Sequence, residues 1–459
     1  MARSKINTKL TFISFLLLNL LIIKPLLSSD EIKEFNIDSS NMDLYSFSAV
    51  KNIVKTVDED FYIRFMKENV INQPEFKSSF AFSEEKRLLV LSAKRDFFPT
   101  INTRIVNDEI IDRSIDETNS IRKRQDDSFD AVVELSQTIY SGGKLSGSLN
   151  FAKLEDQAFK LKKKEVLSEL IISANHIYIS AYISDYIYNY ALDLINKLRP
   201  FKEKVKDRVS AGINDPIDFA LFSVNFNKLE SLLYNLEANS KRDQANYEYF
   251  FSTSNKPVGL PLFKINKNNF IKKIKPFSTA LQEIEYEKSL EEVKITRSDR
   301  LPKVGFSVRY TEYDIDKSDI EDNDIRGGIF LNLPLVDFGR TRSKVNAAKA
   351  KSKAVLTDVD VDRKRTASIE KEIISKFDSA LKARSQLLQA FLDTQNQREI
   401  IESRINVSGF SANTLVSSAE KEIQQLQILL SSEYDLIISF LELSHQNQAL
   451  SNIFYMDLL

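Results

Sequence analysis

The chain is 459 residues long, enough for a large core and, by length alone, for two or three domains. Its 64 Lys and Arg stand against 65 Asp and Glu, a net charge of -1 that gives no bulk attraction to nucleic acid. Cysteine is absent, which excludes disulfides and thiolate metal sites. The only histidines, His176 and His445, sit inside helical patterns as packed or surface residues, so His-based catalysis and zinc ligation have almost no material.

In chain order, residues 1–29 read as a signal peptide. Arg3, Lys5 and Lys9 precede the apolar run Leu10 to Ile23, and the small residues Ser28 and Ser29 supply a cleavage zone. The run is shorter than the roughly 20 residues a spanning helix needs. No later segment reads as apolar enough to span as a helix, and LIISFLEL near the C-terminus is too short. The mature chain is expected to be exported, and any membrane insertion to use strands. Residues 30–68 form an N-terminal extension with no clear place in the pattern that follows.

Glycine and proline punctuate structure, and here they repeat. Gly143 to Gly212 spans 69 positions and Gly339 to Gly409 spans 70. TIYSGGKLSGSLNFAK from Thr138 aligns with PLVDFGRTRSKVNAAK from Pro334 at an offset of 196. Upstream, FFPTINTR with Pro99 matches RLPKVGFS with Pro302. Two copies of one supersecondary unit are the simplest account: a first repeat over 69–250, a connector over 251–275 and a second repeat over 276–459. Each copy reads as helix, strand, strand, long helix, turn, long helix.

The predicted strands cover about 99–108 and 129–140 in the first copy and about 302–312 and 327–336 in the second. Val304, Phe306, Val308 and Tyr310 alternate with Lys303, Gly305, Ser307 and Arg309, and Ile329, Leu331, Leu333 and Leu335 give the partner strand. In the first copy Val133, Leu135 and Ile139 share a face with Gln137. Highly charged loops join the paired strands. From Gly339 to Gly409 there is no intervening glycine or proline, and Val345, Ala348, Ser352, Val355 and Val359, then Ile369, Ile373, Phe377, Leu381 and Leu388, form a coiled-coil-like stripe. Such a helix would be about 100 Å long at 1.5 Å per residue. Pro200 is expected to kink or break its first-copy equivalent.

A soluble sandwich is one reading of such strands, but little other β material exists to supply a second sheet. In a bilayer, unpaired edges cost several kcal/mol per group, so a spanning sheet must close. Four strands cannot close and about eight is the practical minimum, so subunits would have to share one barrel. Long helices with narrow apolar stripes then bury them only against one another and against neighbouring subunits.

These residues resemble TolC-type outer-membrane efflux and secretion channels, from about Asn69 onward. The motifs are FFPT and LPKV at the strand starts, the SGGK and DFGR turns, the tips RVSAGINDPIDFA and INVSGFSANTLV, and the closing YDLIISFLEL. The resemblance implies an α+β membrane protein built from a two-fold repeated helix-strand-strand-helix-helix unit. It implies a homotrimer with a 12-stranded β-barrel among outer-membrane lipids, continued by a long periplasmic α-helical barrel with an equatorial collar. A periplasmic adaptor and an inner-membrane pump, of RND or ABC type, would dock through the helix tips, and no cofactor is implied. Carried onto this sequence, the tip turns fall at about 208–218 and 404–415. Gly212 and Gly409 mark them, Arg208, Ala211 and Asp218 match the first, and Thr414 and Leu415 partly match the second. Leu415 and Ser418 stand where family members often carry acidic gate residues. The strand-to-helix turns are Gly142 with Gly143 and Gly339 with Arg340. The lipid-facing strand residues are Val304, Phe306, Val308, Tyr310, Ile329, Leu331 and Leu333.

Other motifs reduce to bland readings. DVDVD at Asp358 to Asp362 lacks the sixth-position glycine and twelfth-position glutamate of a calcium loop and reads as a solvated helix face. Lys162 to Lys164 and the acidic cluster Asp314, Asp316, Asp319, Glu321, Asp322 and Asp324 likewise read as solvated. SGGK lacks the Walker spacing. No two carboxylates localise to a cleft, so the chain reads as a passive conduit and not an enzyme. The rival reading, a periplasmic adaptor with long helical hairpins, would bring a compact β domain that the sequence does not show.

Overall fold

In the computed structural model, the described residues are 45–109, 128–213, 215–262, 264–265, 274–315, 322–404 and 412–456. The signal-peptide reading, the Gly409 turn and most of the two charged loops lie outside them. The chain divides after Asp43, and every described residue belongs to the second unit.

After a 3-10 turn at Ser48–Val50, β1 (Thr56–Val57) leads into α1 (Glu59–Ile71), α2 (Pro74–Arg95), β2 (Thr100–Asp108) and β3 (Ser128–Tyr140). The helices α3 (Lys144–Ser210) and α4 (Pro216–Phe251) complete the first copy. Then follow β4 (Leu260–Pro261), α5 (Phe277–Ser298), β5 (Lys303–Tyr313), β6 (Asp322–Asn332), α6 (Arg340–Arg404), α7 (Ala412–Gln446) and α8 (Leu450–Ile453). The two copies agree in dimensions: α2 and α5 each have 22 residues, α3 and α6 have 67 and 65, and α4 and α7 have 36 and 35. At 1.5 Å per residue α3 and α6 are each about 100 Å long. Pro200 does not break α3, which runs through it.

One antiparallel sheet has the order β2-β3-β5-β6. Its hairpins obey the same internal alignment as the helices: Ile101 opposes Leu135 in the first copy, and Val304 opposes Leu331 in the second. The pairing of β3 with β5 joins the copies, with Leu135 opposite Val308 and Val133 opposite Tyr310. Two strand readings need correction. β6 starts at Asp322 and stops at Asn332, because its charged first residues pair with Arg309 to Tyr313 and β5 has no residue before Lys303 to receive Leu333, Leu335 or the N–H-less Pro334. In β3 a register shift between Thr138 and Tyr140 puts Tyr140, instead of Ile139, opposite Val304.

The helices pack side by side: α2 along α3, α5 between α3 and α6, α4 along α3, and α7 against α6, α3 and α4. On α6 the buried positions Val345, Ser352, Val359, Thr366, Ile373 and Ala380 recur every seven residues. A strict heptad stripe winds into a left-handed supercoil with its neighbours, because 3.6 residues per turn drifts against a seven-residue repeat.

The widest core lies where α3 between Glu165 and Leu198 meets α1, α4 and α7. This also corrects the sequence reading that no segment after the N-terminus is apolar enough to span a bilayer. α3 holds one such window, by length and composition. Its apolar character has a local cause, since Ile171, Ala174, Ile179 and Ile195 are fully buried against neighbouring helices. The N-terminal extension is also part of this core from Tyr45 onward. Phe47 and Met66 are fully buried, and Tyr62 donates to Oδ1 of the buried Asn175 at 2.8 Å. β1 pairs in parallel with β4, tying the extension to the connector.

Candidate channel wall, junctions and hairpin tips

Directly opposed residues in an antiparallel sheet share a face, so the registers define two faces. One carries Ile101, Thr103 and Ile105 from β2, Ala131, Val133, Leu135 and Gln137 from β3, Val304, Phe306, Val308 and Tyr310 from β5, and Ile325, Gly327, Ile329 and Leu331 from β6. This apolar face is not covered: Ile329 is 80% exposed, Ile101 68% and Leu331 67%. The other face is polar. Arg309 pairs with Glu134 across β5 and β3 at 3.1 Å, Arg326 pairs with Asp324, and Thr100 and Ser136 share a hydroxyl contact at 3.1 Å. Leu333 lies beyond the end of β6 and is exposed. β2 and β6 are the open edges.

Each sheet end turns into a long helix through one motif used twice. Gly142 and Gly143 have φ of 64° and 89°, and their equivalents Phe338 and Gly339 have φ of 49° and 85°. Ser141 and Asp337 precede these pairs and cap the helices: the Ser141 hydroxyl accepts from Leu145 N–H at 3.0 Å, and Asp337 accepts from Thr341 N–H at 2.9 Å and Gly339 N–H at 3.0 Å. Donation from Thr341, and then from the Gly339 backbone, holds the Asp337 carboxyl down at about 2. The first turn is crowded. A Cβ on Gly142 would stand 2.5 Å from Leu301 Cβ and 3.0 Å from the Ser298 carbonyl oxygen. Phe338 is 99% exposed and tolerates its side chain. Arg340 opens α6 at the position where Lys144 opens α3, and it is exposed.

At the opposite end of α3 the chain stops on a Schellman motif. Gly212, at φ 72°, donates its N–H to the Val209 carbonyl at 2.9 Å, and Ile213 donates to the Arg208 carbonyl at 2.8 Å. Two residues later Asp215 caps α4 by accepting from Ile217 N–H at 2.8 Å, and Pro216 occupies the first helical position. Arg208, Ala211 and Gly212 are exposed at this tip. The side chain of Asp218 and the residue Gly409 lie outside the described residues. In α7, Thr414 is exposed, and Leu415 and Ser418 are buried within the chain. The signal was available: 415, 416, 419, 423 and 426 have helical spacing and apolar side chains.

Two buried ion pairs above the tips were not legible in the sequence. Arg398 on α6 donates to Glu422 on α7 at 2.6 Å, and Glu422 also accepts from the Tyr190 hydroxyl on α3. Burial, and then the Glu422 carboxylate, push the Tyr190 phenol far above its ordinary value. Higher up, Arg384 grips Glu433 with both Nε and Nη2, at 2.5 and 2.9 Å, and also donates to the Tyr45 carbonyl at 3.2 Å. The first network fastens the two hairpins to each other, and the second fastens the N-terminal segment to the second hairpin. Asp358 and Asp360 are exposed on α6, while Asp362 accepts from Thr279 at 2.7 Å. No cluster able to hold a metal ion exists among the described residues.

Residues 280–431 match the family model described as outer membrane efflux protein. Comparison with curated proteins by sequence finds no match. Among solved structures, the fold is similar to that of the Campylobacter jejuni CmeC outer membrane channel, with a TM-score of 0.74 at 11% identity over 85% of this chain and 88% of that one. It is also similar to the outer membrane protein VceC from Vibrio cholerae, with a TM-score of 0.71 at 11% identity over 86% of this chain and 96% of that one. The open state of the Neisseria gonorrhoeae MtrE outer membrane channel gives a TM-score of 0.70 at 11% identity over 84% and 89% of the two chains. Residues 280–431 thus resemble the outer membrane efflux protein family, and over most of its length the chain has the fold of TolC-type outer-membrane channels.

Proposed function

We propose that this chain is the outer-membrane exit duct of a tripartite efflux pump or type I secretion system, conducting substrates passively from a periplasmic tunnel to the outside. The observation that carries the reading is a four-stranded sheet with one exposed apolar face, one charged face and two free edges. Lipid is the medium in which such an apolar face is stable, and lipid does not tolerate the edges. Three copies supply a shared 12-stranded barrel, with Val304, Phe306, Ile329 and Leu331 toward lipid and Arg309, Glu134 and Arg326 toward a hydrated lumen. The helices α3, α4, α6 and α7 continue that wall in the periplasm. Arg208, Ala211, Gly212 and Thr414, with Asp218 and Gly409 nearby in sequence, are where an adaptor meets the tips, and the pump it recruits supplies energy and selectivity. The wall itself performs no chemistry.

Membrane fractionation with heat-modifiable gel mobility tests this. The protein is expected in the outer-membrane fraction as a detergent-extracted oligomer that falls to monomer mass only on heating. A water-soluble monomer would refute the duct. In planar bilayers, Arg208→Ala at the tip is expected to raise conductance, and unchanged conductance would count against gating there.

A further inference from the structure

Charge is not spread evenly along the polar face of the sheet. Directly opposed residues form rungs across the strands, and the rungs run in order from the end joined to the long helices. Lys303 lies opposite Asn332, and the next two rungs, through Gly305 and then Ser307, carry no charge. The following rung holds Glu134, Arg309 and Arg326, and the one after it Arg104 and Asp324. Over these five rungs four cations stand against two carboxylates. Farther out the face carries Asp130 and then Asp108.

The cations are only partly neutralised. Arg309 and Arg326 are directly opposed, a placement in which like charges repel, and each meets a single carboxylate, Arg309 reaching Glu134 at 3.1 Å and Arg326 reaching Asp324. Lys303 and Arg104 have no ion-pair partner among the described residues. Arg104, Arg309 and Arg326 are exposed, and Lys303 is half-buried.

The opposite face shows which charges lie within the apolar band. Behind Lys303, Arg309 and Arg326 it is apolar, from Val304 to Tyr310 on β5 and from Ile325 to Leu331 on β6. One rung beyond Tyr310 that face carries Glu312 opposite Asn323, so the band has ended there. Arg104 and Asp324 stand at its margin, and Asp130 and Asp108 lie outside it. A wall backed by lipid is a low-dielectric boundary that concentrates the field of its inward charges in the lumen. Carboxylates at the mouth face open electrolyte, which at 0.1 M salt screens them over about 10 Å.

We propose that Lys303, Arg309, Arg326 and Arg104 form a cationic belt inside the barrel that selects for negatively charged solutes, so that anionic cargo passes and cationic cargo is held back. Rings of basic side chains favour anions in pores by this electrostatic route. The inference rests on the shared-barrel reading above and adds the charge class of the cargo and the residues that set it.

Reversal potentials of the full-length protein in planar bilayers, under a tenfold KCl gradient, test the belt. Wild type is expected to prefer chloride over potassium, and Glu134→Gln to strengthen that preference. The combined variant Lys303→Gln, Arg104→Gln, Arg309→Gln and Arg326→Gln is expected to carry the potential across zero to potassium preference, because Glu134 and Asp324 are then the charges left on these rungs. Asp108→Asn at the mouth is expected to keep the wild-type sign. Heat-modifiable gel mobility shows which variants assemble, and Arg309→Gln alone, expected to move the potential toward zero, serves if the combined variant does not. Conduction by wild type without chloride preference, or wild-type preference retained after the arginines and lysine are removed, would overturn the belt while the duct stands. If the protein is a water-soluble monomer that forms no channel, the duct reading falls and this inference falls with it.

Discussion

Gly142→Ala separates two costs that usually travel together. The substitution places a Cβ on a residue at φ +64°, a region that costs an ordinary L-residue about 1–2 kcal/mol. It also drives that Cβ to 2.5 Å from Leu301 Cβ and 3.0 Å from the Ser298 carbonyl oxygen, neither of them the far end of a flexible side chain. Overpacking of this kind adds about 1–3 kcal/mol. Gly212→Ala is the control, because Gly212 has φ +72° and nothing within 4 Å of its Cβ position. Gly142→Ala is therefore expected to destabilise by about 2–5 kcal/mol and Gly212→Ala by about 1–2 kcal/mol. Guanidinium unfolding in detergent, followed by far-ultraviolet circular dichroism, measures both. Leu301→Ala does not rescue Gly142→Ala, since alanine keeps the offending Cβ. Equal losses for the two alanine variants, or rescue by Leu301→Ala, would refute the steric account.

Arg398→Ala leaves Glu422 buried without its guanidinium and is expected to cost about 3–5 kcal/mol, whereas Arg398→Met with Glu422→Leu and Tyr190→Phe recovers most of it; denaturant midpoints decide. Leu331→Arg on the apolar face is expected to disfavour membrane insertion by about 2–4 kcal/mol, and Gly328→Arg, on the polar face with open space around it, by far less. Refolding into lipid vesicles compares them, and similar yields would mean the faces are misassigned. Burial holds His445 below its ordinary value, and its Nδ1 lies 2.8 Å from Ser168 Oγ. The unfolded chain then binds more protons as pH falls below about 6.5, so stability drops toward acid from there. His445→Gln is expected to flatten that limb of a pH–stability curve, and an unchanged slope would assign it to other groups.

Local physics made much of the architecture readable. Gly143, Gly212 and Gly339 mark positive-φ turns because little else is stable there, and the seven-residue stripe of α6 survives as burial at Val345, Val359 and Ile373. What stayed hidden depends on partners distant in sequence. Nothing near Leu135 or Val308 says that β3 and β5 pair, although the pairing turns two hairpins into one sheet. The early residues of β6 are too charged to alternate and are strand only because Tyr313, Glu312 and Thr311 lie opposite. Arg384 and Arg398 look like ordinary helix-surface residues until Glu433 and Glu422 on α7 meet them. The docking of α1 was within reach, since Tyr62, Ile63, Met66 and Val70 keep a helical period.

Pro200 has a mechanical consequence for the longest helix. Proline offers no N–H, so the carbonyl of Asn196 loses the acceptor role it would have in an unbroken ladder, ten residues before α3 ends at Ser210. Above that point Ile195 and Leu198 clamp the helix within the packed hairpins, while below it Val205 is the only buried residue of the segment. The final turns of α3 are thus held by one backbone hydrogen bond fewer and by little burial of their own, which makes them the least constrained part of the helix.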